Sequence, residues 1–221
     1  ASLETKFLPA LASLFSRGSF YVAIIFWGLL GIVGWAINGW MPTYFQEQFS
    51  LKQGVAGFSA TGFLQAAALC GVIFGGALTD RWSRSGESRR ITITMIGLFV
   101  AAPAILLAAN TSLLAVAIVG LMIYGLMRSF ADTNMMPILC LITDARYRAT
   151  GYGILNMFAC FVGGLTIFIG GALRDAQIDV SRIFQFSAVC LAVAAALLFL
   201  IKPISSTRAS AGVVKGEEVA P

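Results

Sequence analysis

The chain has 221 residues, of which 58% are hydrophobic and only 11% are charged, and its mean hydropathy is +0.86. Soluble globular domains are far more polar, so this composition excludes an ordinary water-soluble fold and indicates a membrane protein. The sequence contains no histidine and no C-x-x-C spacing among its four cysteines. It therefore excludes disulfide frameworks, zinc sites and histidine catalysis, and we expect no cofactor.

The first 19 residues carry a short amphipathic pattern. Four apolar residues share one helical face: Leu3, Phe7, Leu11 and Leu14. This spacing predicts an amphipathic linker helix at the cytoplasmic membrane surface over residues 1–19. A disordered N-terminus is the alternative, because Pro9 restricts where a helix can begin.

Charged clusters divide the rest of the chain into five uncharged apolar runs. One membrane crossing needs about 20 apolar residues. The 37-residue run from Ile91 would reach roughly 55 Å as one helix, against a hydrocarbon core of about 30 Å, and Asn110-Thr111-Ser112 divides it. The sequence therefore predicts an all-α membrane protein, a bundle over residues 20–203. Its six transmembrane helices are predicted at about 20–45, 55–79, 91–109, 113–142, 148–173 and 183–202.

Basic residues predict the orientation, because cytoplasmic loops are enriched in lysine and arginine. With both termini inside, 11 of the 15 basic residues lie on the cytoplasmic side, and Lys52, Arg174 and Arg182 lie outside. The net charge of +5 then belongs entirely to the cytoplasmic face. We expect the lipid bilayer as a partner and no nucleic acid. Residues 204–221 are small and polar, which predicts a disordered cytoplasmic tail.

A short internal repeat supports the six-helix arrangement. The segment IFGGALTD at 73–80 recurs, with one insertion, as IFIGGALRD at 167–175. Both copies end the second helix of a three-helix unit, the first inside and the second outside, as two inverted three-helix repeats require. Chance is the competing explanation for so short a match in sequence rich in glycine and alanine.

Two cytoplasmic loops resemble those of a known family. The segment GGALTDRWSR at 75–84, followed by Arg89 and Arg90, resembles the G-x-x-x-D-R-x-G-R-R signature loop of the major facilitator superfamily, with Ser83 and Ser85 departing from it. The segment DARYRATG at 144–151 resembles the basic loop before that family's penultimate helix. The resemblance implies one half of a twelve-helix fold. The linker-like start, the missing initiator Met, the polar tail and the degenerate signature loop favour the C-terminal half.

The same resemblance implies an inner gate. In the family's pattern Asp80 and Arg81 pair with the neighbouring loop and with the start of the fifth helix. The implied gating residues are Asp80, Arg81, Arg84, Arg146 and Arg148. The alternative is a solvated loop whose arginines only set the topology, and we interpret Arg89 and Arg90 in that way.

Arg128 and Asp132 are the only charges in the interior of a predicted span, since Arg148 and Lys202 stand at span ends. Spaced four residues apart, they share a helical face with Tyr124, on a helix that lines the central cavity in the family. Charge inside a membrane is costly and usually marks a pathway, and arginine offers a planar fork for carboxylate or phosphate. We interpret Arg128 as the ligand of an anionic group, with Asp132 orienting it or titrating when substrate displaces it. The alternative is a purely structural salt bridge.

Further polar side chains in the spans are weaker candidates for substrate binding: Trp35, Asn38, Gln65, Asn134 and Asn156. Small residues have a different interpretation. Ala67, Gly71, Gly75 and Thr79, at four-residue spacing, predict a helix-packing stripe. The glycines of the first helix, Gly28, Gly31, Gly34 and Gly39, fit either a bend at an outer gate or close packing.

The resemblance implies a secondary active transporter, not an enzyme, in the bacterial inner membrane. Its partners would be a small-molecule substrate, a coupling cation, either proton or sodium, and the N-terminal six-helix half. The segment GWMPTY at 39–44, together with Arg128, resembles the organic-anion (anion:cation symporter) branch, which carries sugar acids and similar carboxylates. A neutral sugar or drug transporter of the same superfamily is the alternative. A six-helix channel subunit is the alternative from another class, and it would need a re-entrant filter segment between spans.

Overall fold

The computed structural model describes residues 7–84, 86 and 89–200. In that part of the chain the α-helices are α1 Phe7–Phe15, α2 Gly18–Gln48, α3 Gln53–Gly57, α4 Phe63–Ser83, α5 Arg89–Ala109, α6 Leu114–Ile142, α7 Arg148–Asp175 and α8 Ser181–Leu197. A π-helical segment, Phe58–Gly62, joins α3 to α4 without a break. Short 3-10 turns, Ala145–Tyr147 and Leu198–Leu200, precede α7 and follow α8.

Six of these helical units in the described part are long and apolar enough to cross a membrane. The number and the positions of the predicted spans are confirmed. The helices run a few residues further than predicted, as in α2, where the helical backbone continues through polar Gln46 to Gln48. Residues 1–6 of the predicted linker, the last three residues of the predicted bundle and the predicted tail at 204–221 lie outside the described residues.

The six spans pack side by side in the order α4, α6, α5, α8, α2 and α7. α2 runs along α7, and α4 runs along α6, while α5 packs against α6 and α8, and α8 also contacts α2. Within the most apolar stretch of each span, 22% is buried in the spans that contain α4 and α7, against 44 to 50% in the other four spans. These two helices therefore present broad apolar faces outward.

Small residues allow α4 and α6 to approach closely. The predicted stripe Ala67, Gly71, Gly75 and Thr79 is buried, which confirms its packing role. A Cβ added at Gly71 would lie 2.4 Å from the Leu126 carbonyl oxygen, a separation that no side chain can adopt. Backbone contact of this kind is how small residues hold helices together in a membrane.

Glycines also allow α2 and α7 to pack closely, in one place against the backbone and in another against a tryptophan ring. A Cβ at Gly31 would lie 2.4 Å from the Ala159 carbonyl oxygen, and one at Gly163 would lie 2.1 Å from the Trp35 ring. Gly28 and Gly39 also meet side chains of α7, whereas Gly34 has open space around it. Close packing therefore explains Gly28, Gly31 and Gly39 of α2, but not Gly34.

The amphipathic start of the chain is docked on the bundle. Ala10 and Leu14 of α1 are buried, and Leu14 reaches the surface of α7 at Gly151. Between α1 and α2, Arg17 Nη2 donates to Asp144 Oδ2 at 2.9 Å. Where the predicted linker is described, it is mostly helical, and an apolar contact with α7 and an ion pair with the loop before α7 attach it to the bundle.

We expect Asp144→Asn to loosen this attachment without unfolding the bundle. Exposed ion pairs typically contribute about 0.2–1 kcal/mol, so local opening at Arg17 should rise by about 1.4- to fivefold. Limited trypsin digestion, followed by mass spectrometry of the fragment beginning at Gly18, measures that opening. Glu47→Gln, which breaks the Glu47–Arg174 ion pair at the other end of the bundle, is the matched control. Equal cleavage rates in all three proteins would contradict the docking.

Hydrogen bonds and ion pairs also hold the end of the bundle opposite to α1. The Tyr44 hydroxyl donates to the Ala109 carbonyl oxygen at 2.8 Å, which ties α2 to α5, and Glu47 pairs with Arg174 of α7. The backbone N–H of Ser181 donates to Asp179 Oδ1 at 2.7 Å. This hydrogen bond holds the pKa of the Asp179 carboxyl below its usual value and fixes the start of α8.

Candidate functional site

A cavity of about 560 Å³ lies between α2, α6 and α7. That volume is within the range of small-molecule sites. Side chains and glycines at helical spacing line it from three sides: Trp27, Leu30, Gly31, Gly34, Trp35 and Asn38 of α2; Arg128, Asp132, Met135 and Met136 of α6; Tyr152, Asn156, Ala159 and Cys160 of α7. We refer to it as the large cavity.

A second, smaller space adjoins the same residues of α6. It has a volume of about 100 Å³, lies between α2, α4 and α6, and is bordered by Gln65, Tyr124, Arg128 and Asp132. We refer to it as the small recess. The two spaces together bring seven of the eight predicted binding residues into one region: Trp35, Asn38, Gln65, Tyr124, Arg128, Asp132 and Asn156.

Asn134 lies apart from this group. It is fully buried, and its amide donates to the Phe130 carbonyl oxygen at 2.7 Å and to Thr79 Oγ1 at 3.2 Å. Two residues along an α-helix correspond to a rotation of about 200°, so Asn134 faces away from Asp132 and toward α4. Its contacts join α4 to α6 within the packed interface.

Arg128 and Asp132 form the predicted ion pair, with Arg128 Nη1 donating to Asp132 Oδ1. The two side chains differ in exposure, 14% for Arg128 and 48% for Asp132. Arg128 Nε is buried and has no hydrogen-bond partner among the described residues, and Tyr124 lies close enough to interact with the guanidinium. At the cavity wall, the Asp132 carboxylate is therefore the more exposed member of the pair, and the Arg128 guanidinium is the more buried one.

The predicted gate residues lie at the α1 end of the bundle. Asp80 Oδ1 accepts a hydrogen bond from Arg90 Nη2 at 2.8 Å, so Arg90 has an ion-pair partner that the sequence did not predict. The separation of ten residues hid this pair, because a loop brings the start of α5 back to the end of α4. Arg148 donates to the Cys140 carbonyl oxygen at 3.3 Å, and none of the described ion pairs joins Asp80 to the start of α7.

Arg81 and Arg84, also predicted gate residues, are exposed, and so is Arg146 in the turn before α7. Among the ion pairs of the described residues, Asp80–Arg90 is the one that includes a predicted gate residue.

Several cavity residues were not predicted from the sequence. Met135 lies seven residues, or two turns, after Arg128 and shares its face. Tyr152 and Cys160 lie four residues before and after Asn156. A search four and seven residues away from each polar candidate, along the same helical face, would have found these residues, although they are uncharged.

In the described part of the chain, six helices are long and apolar enough to span a membrane, and they enclose a lined cavity with an ion pair at its wall, which are features of a multi-pass membrane protein. The sequence profile of the Major Facilitator Superfamily matches residues 2–167, and the chain belongs to this superfamily. A search of curated proteins gave no match.

Solved transporters share the fold at low sequence identity. A bacterial homologue of the human lysosomal transporter Spinster, inward-facing and unoccupied, is similar with a TM-score of 0.69 and 18% identity, over 90% of this chain and 50% of that one. A D-xylose-proton symporter has a TM-score of 0.61 and 18% identity, over 96% and 53%. The chain therefore spans about half the length of the transporters that it matches, and it has the fold of one six-helix half.

Proposed function

We propose that the chain is the C-terminal half of a secondary active transporter that moves a small organic anion by alternating access. The observation that carries the proposal is the Arg128–Asp132 pair in the wall of the large cavity. A charged pair at membrane depth is costly to keep, so its retention favours a role in binding. Arginine is suited to a carboxylate because its planar fork donates two parallel hydrogen bonds.

Substrate binding is an exchange of partners at Arg128. Removing one member of a buried ion pair leaves an uncompensated charge, which is strongly unfavourable. A substrate carboxylate that replaces Asp132 keeps the guanidinium paired throughout. The Arg128 Nε hydrogen, which lacks a partner among the described residues, supplies a further donor for the incoming group.

The remaining lining fits a hydroxylated anion such as a sugar acid. Asn38 and Asn156 provide amide groups from two facing helices, and Trp35 provides a flat apolar surface. Gln65 and Tyr124 act from the side of the small recess. Sites that orient a ligand combine an apolar wall with a few convergent polar groups, as this cavity does.

Coupling to a cation gradient follows from the same exchange. When the substrate carboxylate pairs with Arg128, Asp132 loses its counter-ion and can accept a proton or sodium ion. Titrations of an interacting pair are coupled, so cation and anion binding favour each other. We propose a proton or sodium symporter in a bacterial inner membrane, with both termini cytoplasmic.

The N-terminal six-helix half is the proposed partner inside the membrane. α4 and α7 carry the least buried surfaces of the bundle, and they flank the side on which the cavity lies. Residues 1–19 would act as the linker, 20–203 as the bundle and 204–221 as the tail. Asp80, Arg81, Arg84, Arg146 and Arg148 are the proposed gate.

One observation favours a neutral sugar or drug as the alternative substrate. Asp132 is more exposed than Arg128, and the pair as a whole carries no net charge. If the pair stays intact during transport, the cavity offers only hydrogen bonds and apolar surface, which suit an uncharged ligand.

Ligand-induced thermal stabilisation of the full-length protein tests the proposal. A ligand at 100 times its Kd raises the free energy of unfolding by about 2.7 kcal/mol. We expect gluconate and glucuronate to raise the Tm and glucose to leave it unchanged. Equal stabilisation by glucose, or stabilisation by glucose alone, would overturn the anion proposal and favour the neutral substrate.

A further inference from the structure

An apolar groove of about 380 Å³ lies between α7 and α8, on the side of the bundle. Leu165 and Ile169 of α7 and Phe186 of α8 line it, together with Ile32 of α2, a helix that packs against both. None of its lining residues borders the large cavity or the small recess. We refer to it as the lateral groove.

The lining of the lateral groove is suited to hydrocarbon. Leu165, Ile169 and Phe186 all keep large exposed surfaces in the bundle. The hydroxyl of Thr166, which also lines the groove, donates to the Val162 carbonyl oxygen at 3.0 Å within its own helix. Its hydrogen-bond donor is therefore satisfied without a ligand, and an apolar chain can lie against this wall without leaving that donor unpaired.

The length of the lateral groove matches one leaflet of a bilayer. Its lining along α7 extends from Val162 to Leu173, eleven residues apart. At 1.5 Å per residue this distance is about 16 Å. Half of a hydrocarbon core of about 30 Å is about 15 Å. The groove is thus about as long as the acyl region of one leaflet is thick.

An arginine lies at the mouth of the lateral groove, where α8 begins. Arg182 is exposed, and none of the described ion pairs includes it. Its Nη1 donates to Gln185 Oε1 at 3.1 Å, and Gln185 Nε2 donates to Asn110 Oδ1 at 2.9 Å, which orients the guanidinium. Asp179 acts on Arg182 at longer range, and its Oδ1 accepts the Ser181 N–H. Most of the Arg182 donors are thus left for an anion.

We propose that the lateral groove binds one phospholipid of the adjoining leaflet, with an acyl chain along α7 and the phosphate diester at Arg182. The planar fork of arginine matches the oxygens of a phosphate, and basic pockets between membrane helices bind lipid headgroups. The start of a membrane-spanning helix lies at the depth of those headgroups. An apolar groove with a cation at its interfacial end is therefore complementary to a phospholipid along its whole length.

Arg182 supplies most of the preference for this site over the surrounding lipid. Hydrocarbon chains are as apolar as the groove wall, so burying a chain there gains little relative to the bilayer. The phosphate contact has no such competitor on the neighbouring apolar surfaces. Because the lateral groove shares no lining residue with the large cavity, the site does not depend on what the transporter carries.

Photolabelling of the full-length transporter in dodecyl maltoside tests this site. The probe is phosphatidylglycerol with a diazirine in one acyl chain, and mass spectrometry locates the labelled residues. We expect labels at Leu165, Ile169 or Phe186. Unlabelled dioleoylphosphatidylglycerol should displace the probe at a concentration at least fivefold lower than dioleoylglycerol, which has the same chains and no phosphate.

Two pairs of variants separate the headgroup contact from the chain contact. Arg182→Gln should lower labelling of the groove about fivefold, the effect of one basic residue near a lipid surface. Arg174→Gln makes the same change at the same end of the bundle outside the groove, and it should have no effect. Ile169→Trp fills the groove and should also lower labelling. Phe168→Trp, at an exposed neighbour that does not line the groove, is its control.

Labelling of the exposed Phe99 on α5 is the reference in every variant, and its retention shows that the bundle is folded. Wild-type labelling at Phe99 without labelling of the groove would overturn the inference, because another part of the full-length protein would then cover the groove. Equal displacement by dioleoylglycerol, or equal groove labelling in Arg182→Gln and wild type, would also overturn it. Either result would show unselective contact with hydrocarbon.

Discussion

Arg128→Gln is expected to remove the stabilisation by sugar acids. Glutamine cannot provide the paired, charged donors of a guanidinium, and the acid would lose its counter-charge in the membrane interior. We expect affinity to fall at least 100-fold, which corresponds to about 2.7 kcal/mol of binding free energy. Thermal unfolding of the full-length protein with increasing gluconate measures this loss as the disappearance of the Tm shift.

Two further variants show whether charge or geometry is responsible. Arg128→Lys keeps the positive charge and loses the planar fork, so it should retain part of the effect. The double variant Arg128→Gln, Asp132→Asn restores neutrality at the wall and controls for an unpaired Asp132. If gluconate stabilised Arg128→Gln as strongly as wild type, the pair would be structural, and the neutral-substrate alternative would follow.

Gly71→Ala is expected to destabilise the bundle strongly. The added methyl group would lie 2.4 Å from the Leu126 carbonyl oxygen, so α4 and α6 must move apart at this contact. Overpacking of this kind typically costs 1–3 kcal/mol, about 2 kcal/mol being the expected loss here. The change in Tm of the detergent-solubilised protein, without ligand, measures it.

Gly76 provides the matched control on the same helix, because a Cβ there meets nothing within 4 Å. Gly76→Ala should be neutral or slightly stabilising, since alanine favours the helix over glycine. Equal losses of stability in the two variants would mean that helix propensity, and not the approach of α4 to α6, governs these positions.

Much of the fold could be predicted because membrane burial leaves a strong signal. Runs of apolar residues separated by charge located all six spans, and four-residue spacing identified the buried stripe at Gly71 and Gly75. The π-helical segment Phe58–Gly62 left no such signal, because it changes hydrogen bonding without changing composition. The Asp80–Arg90 pair was missed because its contact depends on how the intervening loop folds back.

Part of the candidate site could also be predicted from the sequence. A charge in an apolar helix is visible at once, so Arg128 and Asp132 stood out, and helical periodicity then added Tyr124. Polarity alone gave no direction around the helix axis, which is why Asn134 was grouped with residues that face the opposite way. Uncharged members such as Met135 become visible only once three helices are placed around one space.

The neutral Arg128–Asp132 pair has an electrical consequence. One proton and one monovalent anion leave the site with the same net charge as the empty pair, namely zero. A moving elementary charge gains about 2.3 kcal/mol per 100 mV of membrane potential, but a neutral site gains nothing in either form. Under the proposed proton-coupled exchange at this pair, we expect uptake to be electroneutral and accumulation to follow the pH difference alone, about tenfold for each unit.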